Sequence, residues 1–267
     1  MTAIARKIRV EALKMIAASP GGHPGGALSM AEILAALYFR VARVRPSDPA
    51  WSGRDRIVLS KGHACASYYA ALGMRGYFDA EEFRRFRRID GLLEGHSSVS
   101  VPGVDAPSGS LGMGLSQALG MALGARVLQR DCQIWVILGD GDMQEGATWE
   151  ALMAAGHHRV GNLCAVLDHN GLQQHGSVAN TMDYSPIAEK VRAFRWHMAE
   201  LDGHDSEAVV EALNAARKRS LQPTFIVART VKGKGVSFME NQAAWHGTVT
   251  ISPEELQTAT QELQATS

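Results

Sequence analysis

An α/β fold, a parallel β-sheet with helices on both faces, is what this sequence predicts, and three observations predict it. Short β-branched or apolar runs occupy residues 56–60, 133–138, 163–167, 196–200 and 224–228. Helix-patterned segments alternate with them, the arrangement that builds parallel sheets. The second run closes on Gly139-Asp140-Gly141 and the third on Asp168-His169-Asn170. Polar groups at the carboxyl ends of two strands, one helix apart, mark the edge where parallel sheets bind ligands.

Taken in order, the apolar positions of 4–18 recur at helical spacing among Arg6, Lys7, Arg9, Glu11 and Lys14. That segment lacks the uninterrupted apolar core of a secretion signal and reads as the first helix. Helices are expected at 30–42, 64–72, 80–87, 115–129, 148–157, 187–194, 206–217 and 253–265. No linker, repeat or low-complexity stretch divides the chain, so residues 1–267 are expected to form a single domain. With 267 residues, 46% of them hydrophobic, the chain can bury a sizeable core. The 27 basic residues balance 27 acidic ones, which disfavours nucleic acid as a partner. No apolar run is long enough to cross a membrane. Cys65, Cys132 and Cys164 are scattered, without a CxxC pair, as expected of buried thiols in a reducing cytoplasm.

The loops carry the chemistry. Glycine-rich stretches at 20–26, 91–96, 107–114 and 232–235 suggest backbone brought close to a ligand. The Asp140 carboxylate and the Asn170 amide oxygen are hard donors suited to Mg2+, or to Ca2+ or Mn2+, with the Leu172 carbonyl as a third. Phosphate oxygens of a diphosphate and a water would complete the shell, so a diphosphate cofactor is expected. The bland alternative is that Asp140 and Asp142 shape a turn while Asn170 caps a loop. His23, His63, His96 and His246 each sit beside glycine, a pattern fit for a polar pocket handling hydroxyls and protons. No pair has zinc-site spacing. His157, His158, His197 and His204 read as structural, while His169 and His175 flank the metal loop. Glu145 either caps the following helix or faces the cofactor. Lys232 and Lys234 either attract an anion or are solvated on a loop.

These motifs together resemble the amino-terminal, thiamine diphosphate-binding half of the transketolase family. Gly22-His23-Pro24-Gly25, Leu59-Ser60-Lys61-Gly62-His63-Ala64 and the segment 91–96 ending in His96 are similar to its three histidine loops. Gly109-Ser110-Leu111-Gly112 resembles the loop against the thiamine rings, and Gly139-Asp140-Gly141 with Asn170 the cofactor fingerprint. Residues 231–240 and Trp245-His246-Gly247 are similar to the closing segment. The resemblance implies that Asp140, Asn170 and the Leu172 carbonyl hold the metal and that His63, Gly141 and His246 contact the diphosphate. It further implies that Leu111 and Gly112 line the cofactor pocket. Glu145 would join a carboxylate network at the cofactor and subunit contact. His23, His63, His96 and His246 would contact donor-sugar hydroxyls and the two-carbon intermediate.

Family members continue into a pyrimidine-binding domain, which carries the glutamate that activates the cofactor, and a third domain. This sequence ends at Ser267, so the resemblance implies one subunit of a split transketolase. A second chain with the pyrimidine-binding and C-terminal domains would complete it, with an α2β2 heterotetramer expected and sugar phosphates as substrates. Met113 stands where glutamine or histidine is common, and His175 follows Gln174 where an acidic residue is usual. The competing readings are a decarboxylating thiamine enzyme subunit, of 2-oxo acid dehydrogenase or deoxyxylulose-phosphate synthase type, and a non-catalytic cofactor-binding subunit.

Overall fold

The computed structural model describes residues 1–218 and 221–265; the expected end of the domain at Ser267 lies outside them. Five strands form one sheet: β1 (Arg56–Leu59), β2 (Ile134–Gly139), β3 (Leu163–His169), β6 (His197–Asp202) and β7 (Thr224–Arg229). Their order is β1-β2-β3-β7-β6 and every neighbouring pair is parallel. The sequence placed all five, with β6 shifted one to two residues toward the carboxyl end. Two short strands it did not predict, β4 (Leu172–Gln173) and β5 (Gly176–Ser177), form an antiparallel hairpin just beyond β3.

Successive strand residues face opposite sides of a sheet, so continuous apolar runs feed two cores at once. Leu59, Trp135, Ile137, Val166 and Ile226 face one core. Val58, Val136, Leu138, Ala165 and Val227 face the other. The first core is closed by α1 (Thr2–Ala17), α2 (Pro24–Ser29), α3 (Ala31–Ala36), α4 (Cys65–Arg75), α9 (Ser206–Arg217) and α10 (Pro253–Ala265). The second is closed by α5 (Met113–Val127), α6 (Gly146–His157) and α8 (Ile187–Ala193), with a short α7 (Val178–Thr181) nearby. Trp135 is fully buried near the start of β2; truncation of such a side chain costs about 3–5 kcal/mol.

Two helix expectations differ from the structure. Helix 30–42 begins six residues early, at Pro24, breaks at Met30, and ends as a π-helical turn at Leu37–Val41. The glycine-rich entry looked like loop, but its glycines serve packing: a Cβ on Gly26 would sit 3.3 Å from Lys61 Nζ and 3.4 Å from His63 Nε2. The segment expected to be helical over 80–87 is a 3-10 helix, Ala80–Arg85, capped by the Asp79 carboxylate on Glu81 N. It stops where Phe86 turns extended and Arg87 takes a φ of 58°.

Candidate active site

Asp140 leaves the end of β2 in the first residue of a 3-10 turn, while Asn170 follows the last residue of β3, one strand over. The pairing of β2 with β3 sets Gly139 opposite Asp168, which brings these two loops together. Asp140 Oδ2 accepts the backbone N–H groups of Asn170 (3.1 Å) and Gly171 (2.9 Å). Its Oδ1 accepts from the Tyr184 hydroxyl and pairs with His169 Nδ1 at 2.6 Å. That pairing with Asp140 raises the His169 pKa despite burial. Asn170 Oδ1 accepts from Leu172 N at 3.2 Å.

A cavity of about 230 Å3 opens over these tips, lined by Asp140, Gly141, Asn170, Leu172, Leu111, His63, His175, His246, Lys61 and Lys232 among others. A carboxylate, an amide oxygen and a backbone carbonyl in one pocket form the hard oxygen set that suits a magnesium-type ion. Among the described residues no group of three or more His, Cys, Asp or Glu could hold a metal. A Cβ on Gly141 would lie 2.9 Å from Leu111 Cδ1 and narrow the pocket, so the glycine keeps space for a group to approach backbone.

Lys232 settles the ambiguity left by the sequence. Its side chain is buried, with Nζ 2.8 Å from His246 Nδ1 and 3.5 Å from the Leu172 carbonyl. Burial, and then the charge of Lys61, pull it down to about 8. Lys234 instead pairs with Glu240 at 3.5 Å. Lys232, without a carboxylate partner among the described residues, and the N–H groups of neutral histidines give the pocket a cation and neutral donors, which suits a diphosphate.

The four glycine-flanked histidines form one chain of rings. His96 lies 6.4 Å from His23, His23 5.4 Å from His63, and His63 5.1 Å from His246, centroid to centroid. Burial, followed by neighbouring positive groups, depresses all four: His23 to about 4, His246 to about 3, His63 far below the ordinary value and His96 below it. They are neutral at pH 7, able both to donate and to accept.

Asp142, two residues past Asp140, has a different task. It is fully buried and accepts from Ser60 Oγ (2.6 Å), Gly112 N (2.7 Å) and Gly139 N (2.8 Å). These bonds fasten the 109–114 loop to β2; burial nonetheless raises its pKa. Gly112 has a φ of 79°, and a Cβ there would fall 2.4 Å from that of Glu145. Glu145 is exposed in this chain, standing as N-cap of α6 without a side-chain capping bond. Met113 is also exposed.

The chain matches the family described as transketolase, thiamine diphosphate binding domain, over residues 1–265. It belongs to that family. It is 40% identical to the 6-deoxy-6-sulfo-D-fructose transketolase subunit SqwG of Clostridium sp. (strain MSTE9), covering 91% of this chain and 88% of that protein. It is 35% identical to an apulose-4-phosphate transketolase subunit of Phocaeicola vulgatus, covering 90% and 85%. Transketolase from Leishmania mexicana superposes with a TM-score of 0.94 at 30% identity, over 98% of this chain but only 41% of that one. The chain therefore spans most of the two named subunits and about two fifths of that longer transketolase. The expected fold and the thiamine diphosphate-binding character hold. So does the assignment to transketolase N-terminal subunits, which are transferases; the decarboxylating alternative is not favoured.

This transketolase-family domain rests on residues that sequence reading left without roles. Asp168 and Lys61 form a fully buried ion pair; Asp168 also accepts from Ser29 Oγ (2.6 Å) and the Thr230 hydroxyl, and Lys61 donates to Gly26 O (2.9 Å). Burial would raise the Asp168 pKa, but the Lys61 charge and these bonds hold it below the ordinary range. Both residues stood inside the recognised motifs, so the signal was present. Tyr184 had none. His204 is structural, as expected, bridging Glu32 (3.1 Å) and Val231 N (2.8 Å).

Proposed function

We propose that this chain is the diphosphate-binding subunit of an enzyme that transfers a two-carbon ketol unit from a ketose or ketose phosphate to an aldose. The observation that carries the proposal is the convergence of Asp140, Asn170 and the Leu172 carbonyl in one cavity with Lys232, His63 and His246. Asp140, Asn170 and Leu172 would hold Mg2+, with Ca2+ or Mn2+ as substitutes. His63, Gly141, His246 and Lys232 would receive the diphosphate, and Leu111, with Gly112 behind it, would form the apolar wall. Bound there, thiamine diphosphate supplies a nucleophilic carbon and an electron sink for cleaving the bond beside a ketose carbonyl.

The chain's own part is position and proton handling. Lys232 Nζ donates to His246 Nδ1, which assigns the proton of the neutral ring to Nε2 as a donor toward substrate oxygen. His23, His63 and His96, neutral in the same row, can pass protons to and from sugar hydroxyls. Glu145 would meet the partner chain at the cofactor's edge, a reading supported by its exposure beside Gly112.

A partner with pyrimidine-binding and C-terminal domains would complete the site in an α2β2 heterotetramer. Support comes from the two relatives of similar length that are named as subunits. A cytoplasmic setting is supported by three buried free cysteines. The experiment mixes the chain with thiamine diphosphate, Mg2+, a ketose phosphate donor and an aldose acceptor, with and without the partner. Turnover should require the partner; full turnover by this chain alone, or preference for pyruvate as donor, overturns the proposal.

A further inference from the structure

The end of the sheet opposite the active site holds a second polar cleft. It has a volume of about 330 Å3 and lies where the chain enters β2 and β3, with Arg126, Arg130, Asp131, Gln133, Asn162 and Arg217 on its walls. β2 has six residues, so this cleft sits roughly 20 Å along the strand from the Asp140 tip.

Most arginines at this end are accounted for. Arg217 and Arg43 share Asp55, Arg43 also reaches Asp131 (2.9 Å), and Arg54 grips Asp105 (2.6 Å). Two cleft arginines are not neutralised in this way. Among the described residues Arg126 donates only to the carbonyls of His158 (2.9 Å) and Arg159 (3.1 Å). Arg130 has no carboxylate partner among the described residues. Burial, then Arg54, depress the neighbouring Arg56, and Arg130 adds to that effect. A separate observation points the same way. Gln133 is only 5% exposed, and its side-chain Nε2 is enclosed without a hydrogen-bond acceptor. An enclosed donor left unmet is destabilising unless something accepts from it.

We propose that this cleft binds a small polyanion of the phosphate class, held by Arg130, Arg126 and the Gln133 amide, at a site distinct from the thiamine diphosphate cavity. Guanidinium groups match phosphate oxygens in charge and fork geometry, and a turn of the enclosed Gln133 amide toward the cleft would give its unmet donor an acceptor. A ligand here grips the entries to both strands whose far tips carry Asp140 and Asn170.

The test titrates inorganic pyrophosphate into the full chain already saturated with thiamine diphosphate and Mg2+, so that the first cavity is occupied. One saturable site is expected, weakened by added salt. Arg130→Ala should weaken it about tenfold, the loss of one charge-assisted contact. Gln133→Leu should weaken it as well while leaving the melting temperature of the unliganded chain unchanged or higher, because an unsatisfied buried amide is removed. A merely structural Gln133 would lower the melting temperature and leave affinity alone. Absence of saturable binding to the loaded chain, binding indifferent to both substitutions, or preference for an acidic peptide over pyrophosphate would each overturn the proposal.

Discussion

Two lysines, Lys61 and Lys232, lie buried at the carboxyl ends of the strands in opposite circumstances. Lys61 belongs to a closed knot: it pairs with Asp168, whose remaining lone pairs are taken by Ser29 and Thr230, and it donates to the Gly26 carbonyl. Lys232 faces the cavity with a histidine and a distant carbonyl but, among the described residues, no carboxylate partner, and it is pulled down to about 8. The knot is satisfied within the chain and holds α2, β3 and the segment after β7 together. The cavity group is left incomplete, and the missing partner has the charge of a diphosphate. A buried charge without an internal partner marks ligand chemistry, whereas one with a full set of partners marks scaffold.

The largest expected effect breaks the knot. Lys61→Met strands the Asp168 carboxylate in a dry site and should destabilise folding by about 3–5 kcal/mol in urea denaturation. Adding Asp168→Leu should recover part of that loss; a deficit under about 1 kcal/mol for the single variant would remove the knot from the scaffold.

Next is Asp140→Ala. It should reduce thiamine diphosphate and Mg2+ affinity in calorimetry by about 100-fold, some 2.7 kcal/mol, and lower the melting temperature as well, because Asn170 N, Gly171 N and the Tyr184 hydroxyl lose their acceptor. Retained affinity would show that the cavity's oxygen set is not the metal site.

Lys232→Met sharpens the contrast between the two lysines. Cofactor affinity should fall about tenfold, yet stability should hold or rise, because an unpaired buried ammonium is replaced by an apolar chain. The same lysine predicts weaker cofactor binding above pH 8, as it loses its proton in the unliganded chain. Destabilisation of the Lys61→Met size would place Lys232 in the scaffold.

The smallest effect is on the pH dependence of stability. His23, His63, His96 and His246 are depressed, two of them to about 4 and about 3, so the folded chain stays neutral there while the unfolded chain takes up protons below its ordinary 6.5. The unfolded state then binds more protons, and stability falls as pH drops from 6.5 toward 4. His169 opposes this: its raised value gives stability that is full below 6.5 and lost as pH rises through the folded pKa. Four against one predicts a net fall in melting temperature between pH 7 and 5; a rise over that range would mean the histidines are not held neutral together.

Much of this was legible in the residues. Apolar runs without alternation gave the strands of a sheet covered on both faces. Gly-Asp-Gly and Asp-x-Asn one helix apart gave Asp140 and Asn170, whose pairing needs only that β2 and β3 be parallel neighbours. Four histidines, spread from 23 to 246, gave a polar pocket. The 80–87 segment and the helical start at Pro24 were misjudged, because capping by Asp79 and the close packing of Gly26 on Lys61 and His63 are not written in the apolar period.

The sequence by itself determined the strand–helix alternation, the loops that carry the chemistry and the cofactor family, because each is written in neighbouring residues. Only the tertiary structure decided that Asp142 is an anchor while Asp140 faces the cavity, that Asp168 belongs to Lys61, that Tyr184 touches Asp140, and that Lys232 is buried while Lys234 is not. The reason is physical. The state of a charge depends on which distant groups share its low-dielectric surroundings, and residues 107 or 139 positions apart in sequence meet only when the sheet forms.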